Sequence, residues 1–386
     1  MSKILITGCR SPAALGLARI LWKEGHQVIS AESTKVHFLS CSKAIQKDYL
    51  VASPRFNCSR FIQDLATIIQ KEKIETLIPT NEEIFFISKY RHKLSPFCQV
   101  FVDDFEKLST LHNKWSFNQI LATLGLARPE TQLIKSKEEF VGIINLKGAT
   151  IVIKPVFSRF SERILIKPKS LDRIDSMEVS NSFPWVAQEF IQGTQFCTYS
   201  VARNGKLLSH SAYRTDFTLG GTNMYFKSLR NDVLTSWVEV FVRKTQFTGQ
   251  IAFDFILNEN GIFPIECNPR TTNGVLLFNL NDGFGHSIVD SNFEGKVEPD
   301  RRRVMLGIPM MLLGFQQFRS LSRLYHWAKS FLFARDSIFD LQDIRPYFLL
   351  FFSVFKFWCL SKKNSISLAE ATTFDLQWNG ERFWEC

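Results

Sequence analysis

The sequence predicts a mixed α/β and α+β protein in three parts, and three observations support this. In residues 1–107, apolar runs of strand length alternate with amphipathic stretches, which is typical of a doubly wound parallel sheet. Residues 108–295 include a hairpin pattern, IAFDFILNENGIFPIECNPR at 251–270, which indicates an α+β domain. Residues 296–386 differ in composition, beginning with a basic run and continuing as aromatic stretches, and predict a helical extension.

The composition indicates which classes of protein this chain can belong to. The chain has 386 residues, 45% hydrophobic and 22% charged, as expected of a folded protein with a large core. A net charge of +10 suits an anionic small molecule or an acidic membrane surface. Nucleic acid is not expected, because the basic residues are spread along the chain without a zinc-finger or RNP-type motif. Eight cysteines without a C-x-x-C pair, and a start lacking a signal peptide, predict a cytoplasmic protein with reduced thiols.

The N-terminal part begins with strand KILITG, helix AALGLARILWKEG and strand HQVISAE, and closes with strand CQVFVDD. The turn GCRSPAALG lacks the full G-x-G-x-x-G spacing, so no NAD site is predicted. The loop PTNEE follows a strand, where open α/β sheets bind ligands. Glu82 and Glu83 there could hold a substrate amine or hydroxyl, or simply lie in a helix start capped by Asn81; both interpretations stay open.

The predicted hairpin at 251–270 carries chemistry. Its first strand contains Asp254 and its second Glu266, each in an otherwise apolar run, and Asn268 lies on the same face as Glu266. Carboxylate and amide oxygens suit Mg²⁺ held together with phosphates, and Arg270 follows where it would neutralise a phosphoryl group. A hairpin with carboxylates at its rim and a structural arginine is the alternative interpretation.

The pattern DFI followed by IECNPR resembles the metal site of the ATP-grasp superfamily, in the branch of the carbamoyl-phosphate synthetase large subunit. The resemblance covers residues 1 to about 295. It includes LHNKWSFNQILATLGLARPET, the strand ATIVIKP and the segment PWVAQEFIQGTQF, in the expected order. Within the superfamily, the QEFI, DFI and IECNPRT runs are similar to those of the ligase that forms mycosporine-glycine. The resemblance implies a Rossmann-like domain over 1–107, an ATP-grasp domain over 108–295 and a lid at about 147–195.

The resemblance also implies roles for individual residues, with ATP and Mg²⁺ (or Mn²⁺) as cofactors. A metal would lie at Asp254, Glu266 and Asn268, Arg270 and Arg214 would be catalytic, and Tyr213 and Glu83 would bind substrate. For Tyr213 and Arg214, a strand end with a surface arginine is an equally open interpretation. The loop VFSRFSER has no glycine, so side-chain donors would replace a glycine-rich phosphate cover. The expected nucleotide ligands are Lys114 and Lys154 for phosphate, Ser158 and Arg159 in that loop, Gln188, Glu189, Phe190 and Ile191 for adenine, and Gln195 for ribose.

The predicted function is an ATP-dependent ligase. It would activate an acid, usually a carboxylate, as a phosphate ester or acyl phosphate and join it to an amine, releasing ADP and phosphate. A kinase or synthetase with a non-amine acceptor and a non-catalytic ATP-binding protein are the alternatives. The apolar run at 346–360 is too short to span a membrane and contains Lys356, which leaves contact with a membrane surface open. The sequence identifies neither the acid, the amine nor the oligomeric state.

Overall fold

The computed structural model describes residues 1–158, 163–168, 177–219, 222–279, 282–317, 320–381 and 383. They form the parts that the sequence predicts: an N-terminal parallel sheet, a central α+β region and a largely helical C-terminal region.

The N-terminal part is a parallel sheet with helices. Its strands are β1 (Lys3–Thr7), β2 (Gln27–Glu32), β3 (Ile45–Leu50), β4 (Thr76–Pro79) and β5 (Gln99–Val100), and its helices are α1 (Pro12–Lys23), α2 (Cys58–Glu72) and α3 (Glu83–Lys89). The strands lie in the order β3-β2-β1-β4-β5, so the chain passes to both sides of the central β1. The loops that follow β1 and β4 therefore meet at one edge of the sheet, where ligands of such sheets bind.

Helix α1 begins at that edge for a local reason. The Ser11 side chain caps the helix by accepting a hydrogen bond from the Ala14 N–H, and Pro12 occupies a first-turn position where it needs no hydrogen bond. The loop from Gly8 to Ser11 is thereby held against the central part of the molecule.

Two helices lead into a small antiparallel sheet, which we call the lid sheet. The helices are α4 (Phe105–His112) and α5 (Lys114–Thr123). The lid sheet has the order β6-β9-β7-β8, with β6 (Thr131–Ile134), β7 (Ile151–Pro155), β8 (Leu165–Ile166) and β9 (Trp185–Glu189); α6 (Lys137–Lys147) follows β6. Strand β6 precedes the lid boundary of about residue 147 that the resemblance implies. It belongs to the lid sheet because its residues pair with β9 from Trp185 to Gln188.

The large sheet of the described residues carries the hairpin. Its order is β16-β15-β10-β11-β14-β17-β18. The bounds are β10 (Thr194–Arg203), β11 (Lys206–Arg214), β14 (Tyr225–Leu229), β15 (Gly249–Asn258) and β16 (Gly261–Asn268), while β12 (Thr218–Leu219) and β13 (Thr222–Asn223) pair separately. Helix α7 (Asp232–Thr245) covers one face, where the Trp237 ring lies 5.1 Å from Phe253 and 4.9 Å from Phe255. Asp254, between those two phenylalanines, therefore points to the opposite face.

The C-terminal part is largely helical, as the sequence predicts, and it also adds two short strands to the large sheet. Short strands β17 (Arg303–Met305) and β18 (Arg335–Asp336) pair in parallel at its edge. The helices are α8 (Phe284–Val289), α9 (Gly307–Gln317), α10 (Leu321–Phe333), α11 (Arg345–Asn364) and α12 (Leu368–Ala371).

None of the described helices combines the length and the apolar character that a membrane crossing requires.

Candidate active site

Two carboxylates face each other across the β15–β16 hairpin. In its register Asp254 lies directly opposite Glu266, and Asn268 lies two residues further along β16, on the same face. Loss of hydration at the cavity wall raises the pKa of the Asp254 carboxyl to about 6, and the neighbouring Glu266 charge adds to the shift. A cation placed between the two groups would relieve both effects.

Two lysines approach the carboxylate pair from the other side of the cleft. Lys114, at the start of α5, has its Nζ 3.5 Å from Glu266 Oε1 and donates a hydrogen bond of 3.3 Å to the Ser158 carbonyl. Lys154, near the end of β7, is buried, and burial lowers its pKa to about 8, against the opposing effect of the Glu266 charge. The structure therefore brings both predicted lysines to the predicted carboxylates.

A β-bulge fixes the position of Lys154. Asp254 pairs with Glu266 but the next residue, Phe255, pairs with Pro264, so Ile265 is an extra residue in β16. The Ile265 carbonyl accepts a hydrogen bond of 2.9 Å from Lys154 Nζ, which also donates to Gln188 Oε1 at 2.9 Å. Lys154 thus links the lid sheet to the hairpin that carries the carboxylates.

Arg270 connects the hairpin to the N-terminal part. Its Nε lies 3.8 Å from Glu82 Oε1, and its NH2 group donates a hydrogen bond of 3.4 Å to Asn268 Oδ1. Glu82 is fully buried, so Arg270 supplies the positive charge that a buried carboxylate needs. Asn268 and Arg270 both line the same cavity as the carboxylate pair.

The predicted adenine segment lines a separate cavity of about 650 Å³. Glu189, Phe190 and Ile191 form one side of it, and the hairpin turn from Asn258 to Asn260 forms the other. The N–H groups of Glu189 and Phe190 already donate hydrogen bonds of 2.8 Å to the carbonyls of Glu130 and Thr150. The Glu189 carboxylate also accepts from the Glu130 N–H at 3.2 Å. In this conformation these backbone and side-chain groups make hydrogen bonds within the lid region.

Not all of the remaining nucleotide candidates are among the described residues. Gln195 is exposed and lies two residues before Cys197, the cross-strand partner of Asp254, so it shares the face of the carboxylates. Ser158 lines the cavity at the carboxylate pair. Arg159 lies outside the described residues. The other arginine of that loop, Arg163, lies 3.5 Å from the Glu370 carboxylate of the C-terminal part, a partner that the sequence does not reveal.

The strand register places the side chains of Tyr213 and its neighbour Arg214 on opposite faces of the large sheet. Tyr213 pairs with Cys197, which pairs with Asp254, so the buried Tyr213 side chain points to the cavity. Arg214 follows it on β11 and therefore points to the other face, where its guanidinium lies over the Phe196 ring and remains half exposed. The structure does not bring Arg214 to the carboxylate pair.

Glu83 is also kept apart from the carboxylate pair. One of its oxygens accepts hydrogen bonds from the Thr7 hydroxyl at 2.8 Å and from the N–H groups of Thr80 and Asn81 at 3.0 and 3.2 Å. Burial raises its pKa. These contacts are those of a carboxylate that ties β1 to the loop after β4, whereas Asn81 and Thr80 beside it do line the cavity.

The cavity at the carboxylate pair has a volume of about 460 Å³ and is built from all three parts of the chain. The loop from Arg10 to Ala13 forms one wall, and the C-terminal part forms another. Sequence reasoning missed this second wall. A signal was present, since Tyr347, Leu350, Val354 and Phe357 recur at helical spacing. It also missed Thr271, Thr272 and Asn273, which follow the IECNPR run and line the cavity.

Comparisons with known proteins agree with this architecture. The ATP-grasp domain family matches residues 111–274. An uncharacterized protein of Methanocaldococcus jannaschii is 24% identical over 165 residues, which are 43% of this chain and 42% of that protein. The multifunctional protein URA2 of Saccharomyces cerevisiae is 22% identical over 181 residues, which are 43% of this chain and 8% of the yeast protein. The matched region is thus less than half of either relative.

Solved structures of similar fold extend the likeness beyond that region. N5-carboxyaminoimidazole synthetase from Staphylococcus aureus has a TM-score of 0.62 at 13% identity and covers 83% of this chain and 86% of its own. L-amino acid ligase from Bacillus licheniformis has a TM-score of 0.55 at 14% identity, with coverages of 76% and 72%. The family match and the shared architecture together identify the central part of this chain as an ATP-grasp domain, placed between a parallel sheet and a largely helical extension.

Proposed function

We propose that this protein is an ATP-dependent ligase that activates an acid and joins it to an amine. The observation that carries the proposal is that Lys114 and Lys154 approach the pair of Asp254 and Glu266, and that Arg270 lines the same cavity as this pair. Two carboxylates beside three cations form a site for a polyphosphate and its metal.

The residues fit Mg²⁺. The described part of the chain has no cluster of three or more His, Cys, Asp or Glu side chains to hold a metal. Mg²⁺ bound with ATP does not require one, because phosphate and water oxygens complete its shell. Asp254, Glu266 and the Asn268 amide oxygen would hold it. When bound, the metal would neutralise charge on the phosphates.

The chain's own residues supply positioning and charge. Lys114 and Lys154 would hold the phosphates, and Arg270 would offset charge on the transferred group. An acid oxygen would attack the γ-phosphorus of ATP. The bond between that phosphorus and the oxygen bridging it to the β-phosphorus would break, and ADP would leave. The amine nitrogen would then attack the activated carbon, the carbon–oxygen bond to phosphate would break, and the nitrogen would lose a proton.

The fold neighbours support ligase chemistry in general terms, since an L-amino acid ligase is among them. The finer similarity to the ligase that forms mycosporine-glycine stays a prediction, as do the acid and the amine. A kinase or synthetase with a non-amine acceptor and a non-catalytic ATP-binding protein remain the alternatives.

Product analysis tests the proposal. Purified protein is incubated with ATP, Mg²⁺ and pooled carboxylic acids, with and without pooled amines, and ADP, phosphate and coupled products are measured. We expect acid-dependent ADP formation and an amine-dependent product, both absent from the matched Glu266→Gln variant. Product without an amine would favour the kinase, and ATP binding without ADP formation would favour the binding protein.

A further inference from the structure

The cavity at the carboxylate pair has two chemically different ends. Asp254, Glu266, Asn268 and Arg270 form the polar end. Away from it the lining is dominated by aliphatic and aromatic side chains, mainly from the C-terminal part: Leu306, Ile308, Ile338, Leu350, Val354 and Phe357. We call this second region the apolar wall.

One face of helix α11 builds much of the apolar wall. Tyr347, Leu350, Val354 and Phe357 follow each other at steps of three and four residues and all line the cavity. Phe348 and Phe352, by contrast, are exposed outside the cavity lining. The apolar residues of α11 therefore continue through the helix from the solvent side to the cavity side.

Charged groups on this side of the cavity already have partners within the protein. Arg10 is buried and is paired with the carboxylates of Glu32 and Asp375. Asp336 Oδ1 accepts hydrogen bonds from the N–H groups of Ile338 and Phe339 at 2.7 and 2.9 Å. Arg10 is therefore already paired, and the Asp336 carboxylate would repel a substrate carboxylate on this side of the cavity.

Two hydroxyls remain in this region. Ser353 Oγ and Thr373 Oγ1 are buried at the cavity lining and have no hydrogen-bond partner among the described residues. They carry no charge that could hold an ionic group. A strongly hydrophilic acid would lose hydration against this wall without replacement, whereas an apolar body would gain from burial.

We propose that the acid substrate is amphipathic: its carboxylate lies at the polar end beside Arg270, and an apolar body of about six to ten carbons lies against the apolar wall. The inference rests on the proposed function, because it names the class of acid for the same site. The volume of about 460 Å³ is within the range of roughly 300–1,000 Å³ that small-molecule pockets have.

Straight-chain carboxylates test the assignment by binding alone. Acetate, hexanoate, octanoate and decanoate are titrated calorimetrically into the full-length protein with ADP and Mg²⁺ present. We expect affinity to rise about fourfold for each added methylene until the wall is covered. Equal affinity from acetate to decanoate would overturn the proposal.

Matched variants of α11 locate the binding. Leu350→Asn should lower octanoate affinity at least tenfold and leave acetate unchanged, whereas Phe352→Asn, on the exposed side, should change neither. Val354→Trp, at a partly exposed position that tolerates size, should weaken decanoate more than hexanoate by filling the wall. Equal losses of octanoate affinity in Leu350→Asn and Phe352→Asn would indicate that the alkyl chain binds on the outer surface, which would contradict the proposal.

Hydroxylamine trapping separates this inference from the proposed function. With ATP, Mg²⁺ and hydroxylamine, an activated carboxylate is captured as its hydroxamate. Hydroxamate from octanoate well above that from acetate supports both. A binding series without hydroxamate keeps the apolar wall and rejects the ligase, whereas equal hydroxamate from both acids keeps the ligase and rejects the apolar wall.

Discussion

Two regions of the molecule bury carboxylates, and the surroundings of these carboxylates differ. In the N-terminal sheet, Glu83 is surrounded by donors of its own domain, namely the Thr7 hydroxyl and two backbone N–H groups. In the large sheet, Asp254 faces another carboxylate, and lysines from α5 and β7 approach the pair. A carboxylate whose hydrogen bonds all come from its own domain holds that domain together. A carboxylate whose neighbours are charges at a cavity wall is arranged for a ligand.

Of the changes considered, Glu266→Gln should have the largest effect on turnover. The amide keeps the size of the side chain but removes one charge from the metal site, so we expect acid-dependent ADP formation to fall at least about 1,000-fold. The measurement is steady-state turnover at saturating Mg²⁺.

Glu83→Gln is the matched control for that change. It should keep turnover within about threefold while lowering the free energy of unfolding by about 1–3 kcal/mol, because one acceptor of a buried network is weakened. Similar turnover losses in both variants would remove the distinction between the two regions.

Two arginines sharpen the comparison further. Arg270→Lys should lower turnover about 100-fold, because a point charge cannot replace the planar guanidinium between Glu82 and Asn268. Arg214→Lys should stay within about threefold, because Arg214 lies on the other face of the sheet. Equal effects in kinetic assays of the two variants would show that strand register does not select the functional arginine.

The pKa of Asp254 predicts a pH dependence of stability without nucleotide or metal. Its folded value of about 6 lies above the ordinary value of 3.8, so its contribution is fully present below pH 4 and is lost as the pH rises through 6. Compared with Asp254→Asn, the wild type should lose on the order of 2 kcal/mol of unfolding free energy across this window. Urea unfolding of both proteins from pH 4 to 7 measures it, and parallel curves would contradict the assignment.

Lys154→Met should have the smallest effect among the variants of site residues, apart from the two controls. The variant keeps the buried volume but loses the charge, and we expect the ATP dissociation constant to rise about tenfold. The melting temperature without nucleotide should change little, since removing a poorly hydrated charge offsets the two lost hydrogen bonds. Calorimetric titration with ATP checks it, and an unchanged dissociation constant would remove Lys154 from the site.

The hairpin was predictable because its information is local. Asp254, Glu266 and Asn268 lie within one tight hairpin, and the alternation of a strand is enough to place Glu266 and Asn268 on one face. The same rule implies that Tyr213 and Arg214 face opposite ways, but it cannot say which of them faces the cavity. That choice depends on the pairing of Cys197 with both Tyr213 and Asp254, which is a long-range contact.

The parts that were not predictable depend on distant residues or very short elements. Arg270 meets Glu82 only after the two domains have packed together. Strands β17 and β18 have three and two residues, too few for a periodic pattern. The apolar wall carries a helical pattern, but the sequence gives no sign of which surface that helix covers.

The pairing of Arg10 with Asp375 has a consequence for how the chain is made. These residues are separated by 365 positions, and Trp378 inserts its ring 5.0 Å from Phe85 of the N-terminal domain. At ribosomal speeds of about 5–20 residues per second, synthesis from residue 107, where the first domain ends, to Asp375 takes roughly 13–54 s. During synthesis it is an incomplete domain, with a buried arginine short of one counter-ion and an aromatic surface uncovered. Asp375 and Trp378 can therefore complete the packing of the first domain only after the central part has been synthesised.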